Sequence, residues 1–243
     1  MRTLIPLLLL LAAITATAQE RSSRVVLLDG YHNAETKAPL HYRWEGTDNG
    51  GFSQLGDLLK GLGAELRTAT TALTPDTLAG VRCLIIVDPD TPAESDSPHY
   101  ISGGEVKAVS DWVNRGGRLV LLGNDKGNAE FEHFNRLSTK FGIEFVEESI
   151  PKVKGKGILE AEGQGSIFAG APRFYAVELA PLHLLKHDRA DVLLSYQGTP
   201  VMVLVHQGRG LVFGLGDPWV YNEYIKRDDN REIARKLFAT LLQ

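Results

Sequence analysis

Four short stretches constrain this chain most: residues 24–28 (RVVLL), 82–87 (RCLIIV), 118–122 (RLVLL) and 211–215 (LVFGL) are almost continuously apolar and end in turn-forming residues. A strand with one wetted face alternates polar and apolar side chains, whereas a strand covered on both faces does not. Four such runs predict a parallel sheet sandwiched between layers of helix. A shorter strand is expected at residues 64–67.

Helical periodicity fills the intervals. Residues 52–60 place Phe52, Leu55, Leu58 and Leu59 on one face before Gly61 and Gly63. Ser102 and Glu105 form a capping box for a helix reaching Asn114, with Val106, Val109, Trp112 and Val113 as its apolar stripe. Further helices are expected at 130–141 and 230–242. The alternation predicts an α/β fold with a doubly wound, mostly parallel sheet flanked by helices. Residues 143–207 depart from it, being rich in Gly, Lys and short β-like runs such as 192–196 and 201–205. They read as a β-rich insertion or antiparallel extension at the sheet edge of a single domain spanning 19–243. The lysines of 152–156 read as a solvated loop.

The N-terminus reads as an address. One positive charge at Arg2 precedes an apolar run from Leu4 to Ile14, and Ala16-Thr17-Ala18 supplies a small-x-small cleavage pattern. This is the layout of a secretory signal peptide over residues 1–18. The run is shorter than the ~20 residues of a membrane span, so the processed chain is expected to be periplasmic or secreted, and not membrane-spanning. The lone Cys83 forms no internal disulfide, which suits a periplasmic protein with a core large enough to need none. A formal net charge of −4 provides no basic footprint for nucleic acid.

In open α/β sheets, ligands bind beyond the carboxyl ends of the strands. The residues there are Asp29, His32, Asn33 and Glu35 after the first run, and Asp88 and Asp90 after the second. Asn124, Asp125 and Asn128 follow the third, and Asp217, Trp219, Asn222 and Glu223 the last. An Asp in each loop suits turn capping, but four such loops converging on one mouth suit a shared polar ligand site. The first loop is long and carries Trp44 and Glu45. Trp44 and Trp219 are platforms for the apolar face of a sugar, unless they only pack the loops.

Several chemistries lack their motif. No G-x-C/S-x-G elbow follows any strand, and Cys83 lies at the wrong end of its own. There is no G-x-G-x-x-G, phosphate loop, H-E-x-x-H or calcium-loop spacing. No cofactor and no metal are therefore expected, the one alternative being an ion held by Asp29, Asp88, Asp90 and Asp217.

Four blocks, WEGTDNGGFS (44–53), IVDPDT (86–91), GNDKGNAEF (123–131) and GDPWVYNEY (216–224), together resemble a bacterial domain of unknown function. That domain occurs alone or fused behind unsaturated rhamnogalacturonyl hydrolases. It is similar in fold to class I glutamine amidotransferase-like (flavodoxin-like) domains, including those of gliding-motility and intraflagellar transport proteins. The resemblance implies an association with polysaccharide breakdown and supplies no activity to carry over. Two readings follow. The first is a non-catalytic module that binds an oligosaccharide or other small polar ligand, or steadies a polysaccharide-degrading enzyme, through Trp44, Trp219, Asn124, Asn128 and Asn222. The second is a glycoside hydrolase or lyase on pectic oligosaccharides, with Asp88, Asp90, Asp217, Glu35 and Glu223 as its acids and His32 as a base.

Overall fold

The computed structural model describes residues 24–37, 39–151 and 158–243. The expected signal segment 1–18 and the 152–156 lysine loop lie outside the described residues.

The protein is mixed α/β; the described residues form a seven-stranded, mostly parallel sheet and four α-helices. Its strands are β1 (Val25–Asp29), β2 (Glu65–Ala69), β3 (Val81–Val87), β4 (Arg118–Leu122), β5 (Ile143–Phe145), β6 (Ile158–Glu162), β7 (Arg173–Val177), β8 (Leu182–Leu184), β9 (Ala190–Tyr196), β10 (Thr199–Gln207) and β11 (Gly210–Leu215). The helices are α1 (Ser53–Gly61), α2 (Gly103–Asn114), α3 (Phe131–Ser138) and α4 (Asn230–Leu241). In the large sheet the order is β2-β1-β3-β4-β11-β10-β9. The first five neighbours run parallel, and β10 and β9 close the edge antiparallel.

Each apolar run is divided between two cores by the two-residue period of a strand. Val26, Leu28, Cys83, Ile85, Val120 and Leu122 face one core, with Leu55 and Leu59 of α1 and Leu237 and Phe238 of α4. Leu27, Leu84, Ile86, Leu119 and Leu121 face the other, with Val109 and Val113 of α2 and Phe134 and Leu137 of α3. Ser102 caps α2 as its spacing with Glu105 predicts: the Glu105 amide donates to the Ser102 hydroxyl, and the Glu105 carboxylate accepts from the Ser102 amide. The helix expected at 130–141 is α3 followed by a 3-10 turn over Thr139–Phe141.

Residues 143–207 supply three things. β9 and β10 widen the main sheet, the β5–β8 pair joins the α2/α3 core, and the β6–β7 pair joins the α1/α4 core. The link from β7 to β8 closes onto the end of β11. The Ala180 amide donates to the Gly216 carbonyl at 2.9 Å, and a Cβ on Gly216 would stand 1.9 Å from the Ala180 carbonyl oxygen. Only glycine admits that approach, and it brings Glu178 to the carboxyl end of the sheet. Among the described residues, no helix is long and apolar enough to cross a membrane.

Candidate functional site

β1, β3, β4 and β11 are successive parallel neighbours, so Asp29, Asp88, Asp125 and Asp217 stand along one edge of the sheet. Their roles differ. One group of residues forms a buried polar floor, and another lines an open cleft.

Asp29 and His32 belong to the floor. Asp29 Oδ1 accepts from the Tyr31 and His32 amides, and its Oδ2 accepts from His32 Nδ1 at 2.7 Å. On the other side of the ring, His32 Nε2 lies 3.3 Å from Glu105 Oε1. Burial alone would lower the basicity of His32, but the Asp29 carboxylate and then Glu105 outweigh it and hold the imidazole up at about 10. Burial likewise works against the Glu105 charge, yet His32 and the Ser102 and Leu73 amides bring that carboxyl down to about 2. A charged Asp29–His32–Glu105 array thus ties the end of β1 to the first turn of α2. The imidazolium keeps its proton at neutral pH, so it does not serve as the expected base.

The other floor residues clamp loops. Asp90 Oδ2 accepts from the Ala34 and Glu35 amides, both at 2.9 Å; burial raises its carboxyl to about 6 against the pull of those amides. Asn33 Nδ2 donates to the Asp88 carbonyl, and Asn222 Nδ2 to the Gly50 carbonyl. Glu35 grips His41 by its ring, at 2.7 Å, and by its backbone amide, which raises the His41 pKa. Asp88 accepts from Asn124 Nδ2 at 3.0 Å and faces the Tyr42 hydroxyl; burial pushes its carboxyl far up. Left-handed backbone at Asp88 (φ +44°), Tyr42 (φ +56°) and Glu35 (φ +23°) concentrates strain here.

Asn124 joins the floor to the cleft. The cleft encloses about 220 Å³ at the ends of β4 and β11, lined by Asn124, Asp125, Asn128, Val177, Glu178, Trp219, Glu223 and Tyr224. Among the described residues, no Lys or Arg lines it. Asp217 builds its aromatic wall. Its Oδ1 accepts from the Trp219 amide at 2.8 Å, and Pro218 opens the 3-10 turn Pro218–Tyr221. Burial pushes the Asp217 carboxyl far up, opposed in part by the Trp219 and Val177 amides and reinforced by Asp125 and Glu223. Asp125 accepts from Asn128 Nδ2 at 2.8 Å. Burial raises its carboxyl, against the pull of Asn128 and with the nearby Glu178 carboxylate adding to the rise. Trp219 is half-buried; its ring meets His41 at 5.5 Å and Tyr42 at 6.4 Å between centroids.

Of the residues expected at the mouth, Asn124, Asp125, Asn128, Trp219 and Glu223 line the cleft and Asp217 stands behind it. Asp29, His32, Asn33, Glu35, Asp88, Asp90 and Asn222 sit in hydrogen-bonded scaffolding. Trp44 does not close over Trp219: it packs on Phe52 and Gly56 and donates its indole N–H to the Arg67 carbonyl of β2 at 3.1 Å. Glu45 is exposed beside it and does not line the cleft. The four aspartates weighed as ion ligands instead have separate partners: His32, Asn124, two loop amides and the Trp219 amide. Glu130, Glu132 and His133 lie close enough together to share an ion, but Glu130 caps α3 and accepts from His133.

Sequence reasoning missed Glu178, Tyr224, His41 and Tyr42 as neighbours of Trp219. Tyr224 stood inside a recognised block. Glu178 carries no local signal; its φ of +49° and its approach through Gly216 are tertiary facts.

No curated protein matches the chain significantly. Solved structures do. The N-terminal domain of mmIFT52 aligns with a TM-score of 0.68 at 17% identity, over 90% of this chain and 97% of that one. A cytoplasmic protein of Salmonella typhimurium LT2 aligns with a TM-score of 0.61 at 13% identity, over 89% and 98%. A beta-galactosidase from Rahnella sp. R3 aligns with a TM-score of 0.52 at 17% identity, over 90% of this chain but 30% of that one. Such identities establish a shared fold alone. A family model matches residues 45–238, and the chain belongs to that family, the domain of unknown function DUF4350.

Proposed function

We propose that this protein is an exported, non-catalytic carbohydrate-associated module that seats one sugar residue of an oligosaccharide in the Trp219 cleft. The observation that carries the reading is Trp219 itself, a half-buried indole fixed by Asp217 and Pro218 and ringed by carboxylates and an amide. An aromatic face with polar groups at its rim suits a sugar, which has both an apolar face and hydroxyls. At about 220 Å³ the cleft is below the ~300–1,000 Å³ of drug-sized ligand sites, and it is open, so one ring enters and its neighbours remain in solvent. Asn124 spends its amide on Asp88 and its carbonyl on the Asp125 amide. Hydroxyl recognition therefore falls to Asp125, Asn128, Glu178, Glu223 and Tyr224.

The strand order β2-β1-β3-β4-β11 supports a doubly wound, flavodoxin-like reading. The alignment with one part of a beta-galactosidase supports, by analogy of fold, a domain that accompanies sugar-processing enzymes. The 1–18 segment supports export to the periplasm or beyond. A hydrolytic reading draws on one observation, the Asp125 and Glu178 carboxyls that both line the cleft. Calorimetric titration with neutral and pectic oligosaccharides, run beside a reducing-sugar assay, tests both. The module reading expects binding without product release. It also expects Trp219→Ala to weaken that binding by about 1–3 kcal/mol, as loss of an interface anchor does, with an unchanged circular dichroism spectrum. Binding that survives Trp219→Ala refutes the site, and released reducing ends transfer the case to the hydrolase.

A further inference from the structure

We propose that His41 is a positioning residue for the cleft: clamped by Glu35 and Gly50, its charged imidazole braces Trp219, and loss of that charge loosens the indole. This rests on the Trp219 cleft being the ligand site and adds what controls it. Glu35, whose side chain is 2% exposed, accepts from the His41 backbone amide and, at 2.7 Å, from its ring Nδ1. The ring rests on the Gly50 backbone, where a Cβ would stand 2.5 Å from His41 Cδ2. The Gly50 carbonyl is fixed in turn by the Tyr42 amide at 2.8 Å and by Asn222 Nδ2 at 3.1 Å. Asn222 closes the turn that carries Trp219, its amide donating to the Trp219 carbonyl at 3.2 Å. The loop between β1 and α1 therefore grips the Trp219 turn at two points, Gly50 on Asn222 and His41 on the indole. Left-handed backbone at Glu35 and Tyr42 brackets this clamp.

The two rings lie 5.5 Å apart between centroids, within the ~6 Å over which a cation is attracted to an aromatic system. Glu35 holds Nδ1 as a donor in either charge state, so the hydrogen bond outlives deprotonation. What is lost is the charge, and with it the attraction for the indole. The charged groups that face His41 are carboxylates: Glu35 and Asp48 from its own loop, and Glu94 from the β3–α2 connection. Arg43 turns instead to the Ala34 carbonyl. On the far side of the contact, Asp217 holds the Trp219 amide and Glu223 lines the cleft. The Glu35 hydrogen bond favours the imidazolium against burial, with Glu94 and Asp48 adding to it, so His41 titrates above the ordinary 6.5. The brace is therefore in place below pH 6.5 and is lost as pH rises through the higher folded-state value.

The test is NMR on the full chain between about pH 5 and about pH 9, a window around the ordinary histidine pKa of ~6.5. The His41 Cε1–H and Trp219 indole N–H signals, each assigned by substitution, are expected to shift with one midpoint above 6.5. Glu35→Gln keeps the shape of the clamp without its charge and should lower both midpoints together. His41→Gln, checked by circular dichroism, should remove that step from the Trp219 signal. Asp90, raised to about 6, and the raised Asp217 are the neighbours that would imitate it. A Trp219 step that persists in His41→Gln therefore overturns the brace, and so do separate midpoints for the two signals. Calorimetry with a neutral β-1,4-galactan tetramer, whose own charge does not change, reads the consequence for the cleft. Affinity is expected to fall about two- to fivefold across the midpoint, the worth of an exposed cation–π contact, and to stay flat in His41→Gln. Affinity that stays flat in wild type overturns control of the cleft by His41. Absence of binding at every pH counts against the carbohydrate reading, while a shared His41–Trp219 midpoint still upholds the brace.

Discussion

Replacing His32 by Gln removes the cation from the centre of the Asp29–His32–Glu105 array and leaves two buried carboxylates facing each other. His32 is fully buried, so water does not compensate either one. Breaking a buried ion pair costs about 3–5 kcal/mol. The histidine pKa gives a parallel figure: a rise from 6.5 to about 10 corresponds to about 5 kcal/mol at 1.36 kcal/mol per pH unit. Both figures describe the same interaction and do not add. Because the folded-state pKa lies above the unfolded one, this stability is fully present below pH 6.5 and is lost as pH rises through about 10. Glu105 has the opposite sign: its folded pKa of about 2 lies below the ordinary 4.5, so its share is present above 4.5 and lost as pH falls towards 2. The assay is urea denaturation of wild type and His32→Gln at a series of pH values from 6 to 10, a window that brackets the titration. Burial of the Cys83 thiol, pushed up to about 12, also erodes stability above pH 9 in both proteins. The diagnostic quantity is therefore the difference between them. It should be about 3–5 kcal/mol at pH 7 and shrink steadily towards pH 10. A difference below about 1 kcal/mol at pH 7, or one that stays constant to pH 10, refutes a charged His32.

Trp44→Ala should cost about 1–3 kcal/mol of stability in chemical denaturation, since it strips cover from Phe52 and Gly56 and a hydrogen bond from Arg67, yet leave oligosaccharide affinity unchanged. Cys83→Ala should cost only about 0.5–1.5 kcal/mol, the loss of one buried heavy atom, with ligand binding intact by calorimetry. Gly216→Ala should cost about 3 kcal/mol or more in melting experiments and also weaken ligand binding, because relieving the clash with Ala180 pushes Glu178 out of the cleft wall.

The sheet was legible because burial on both faces leaves a mark in the sequence. A run such as Cys83-Leu84-Ile85-Ile86-Val87 serves two cores in alternation and has no position free to be polar. The capping box at Ser102 was legible because both its halves lie within four residues. Trp44 was misplaced for the converse reason. Its neighbours Phe52, Gly56 and Arg67 come from α1 and β2, and only the path of the long loop decides that the indole turns to the sheet edge rather than the mouth. Residues 143–207 gave no more than β-rich texture, since short strands on two different faces carry no periodicity long enough to orient them.

The aspartates at the strand ends look alike in sequence, yet they divide by whether local backbone or distant chain supplies the partner. Asp29 and Asp217 accept from amides two or three residues on, the ordinary service of an Asp in a turn, and each then directs one ring: His32 inward to Glu105, Trp219 outward to the cleft. Asp88 and Asp90 hold segments more than thirty residues away, Asn124 in one case and the Ala34 and Glu35 amides in the other. These four are spent on placement, and burial denies them ready contact with a ligand. Asp125 is the exception: it is half-exposed and its carboxyl neighbour Glu178 arrives from a segment that Gly216 lets in. An Asp after a parallel strand thus marks the edge where a site forms without marking the site. The residues that would touch a ligand are those whose partners come from elsewhere in the chain and leave a face in solvent, and here they gather around Trp219.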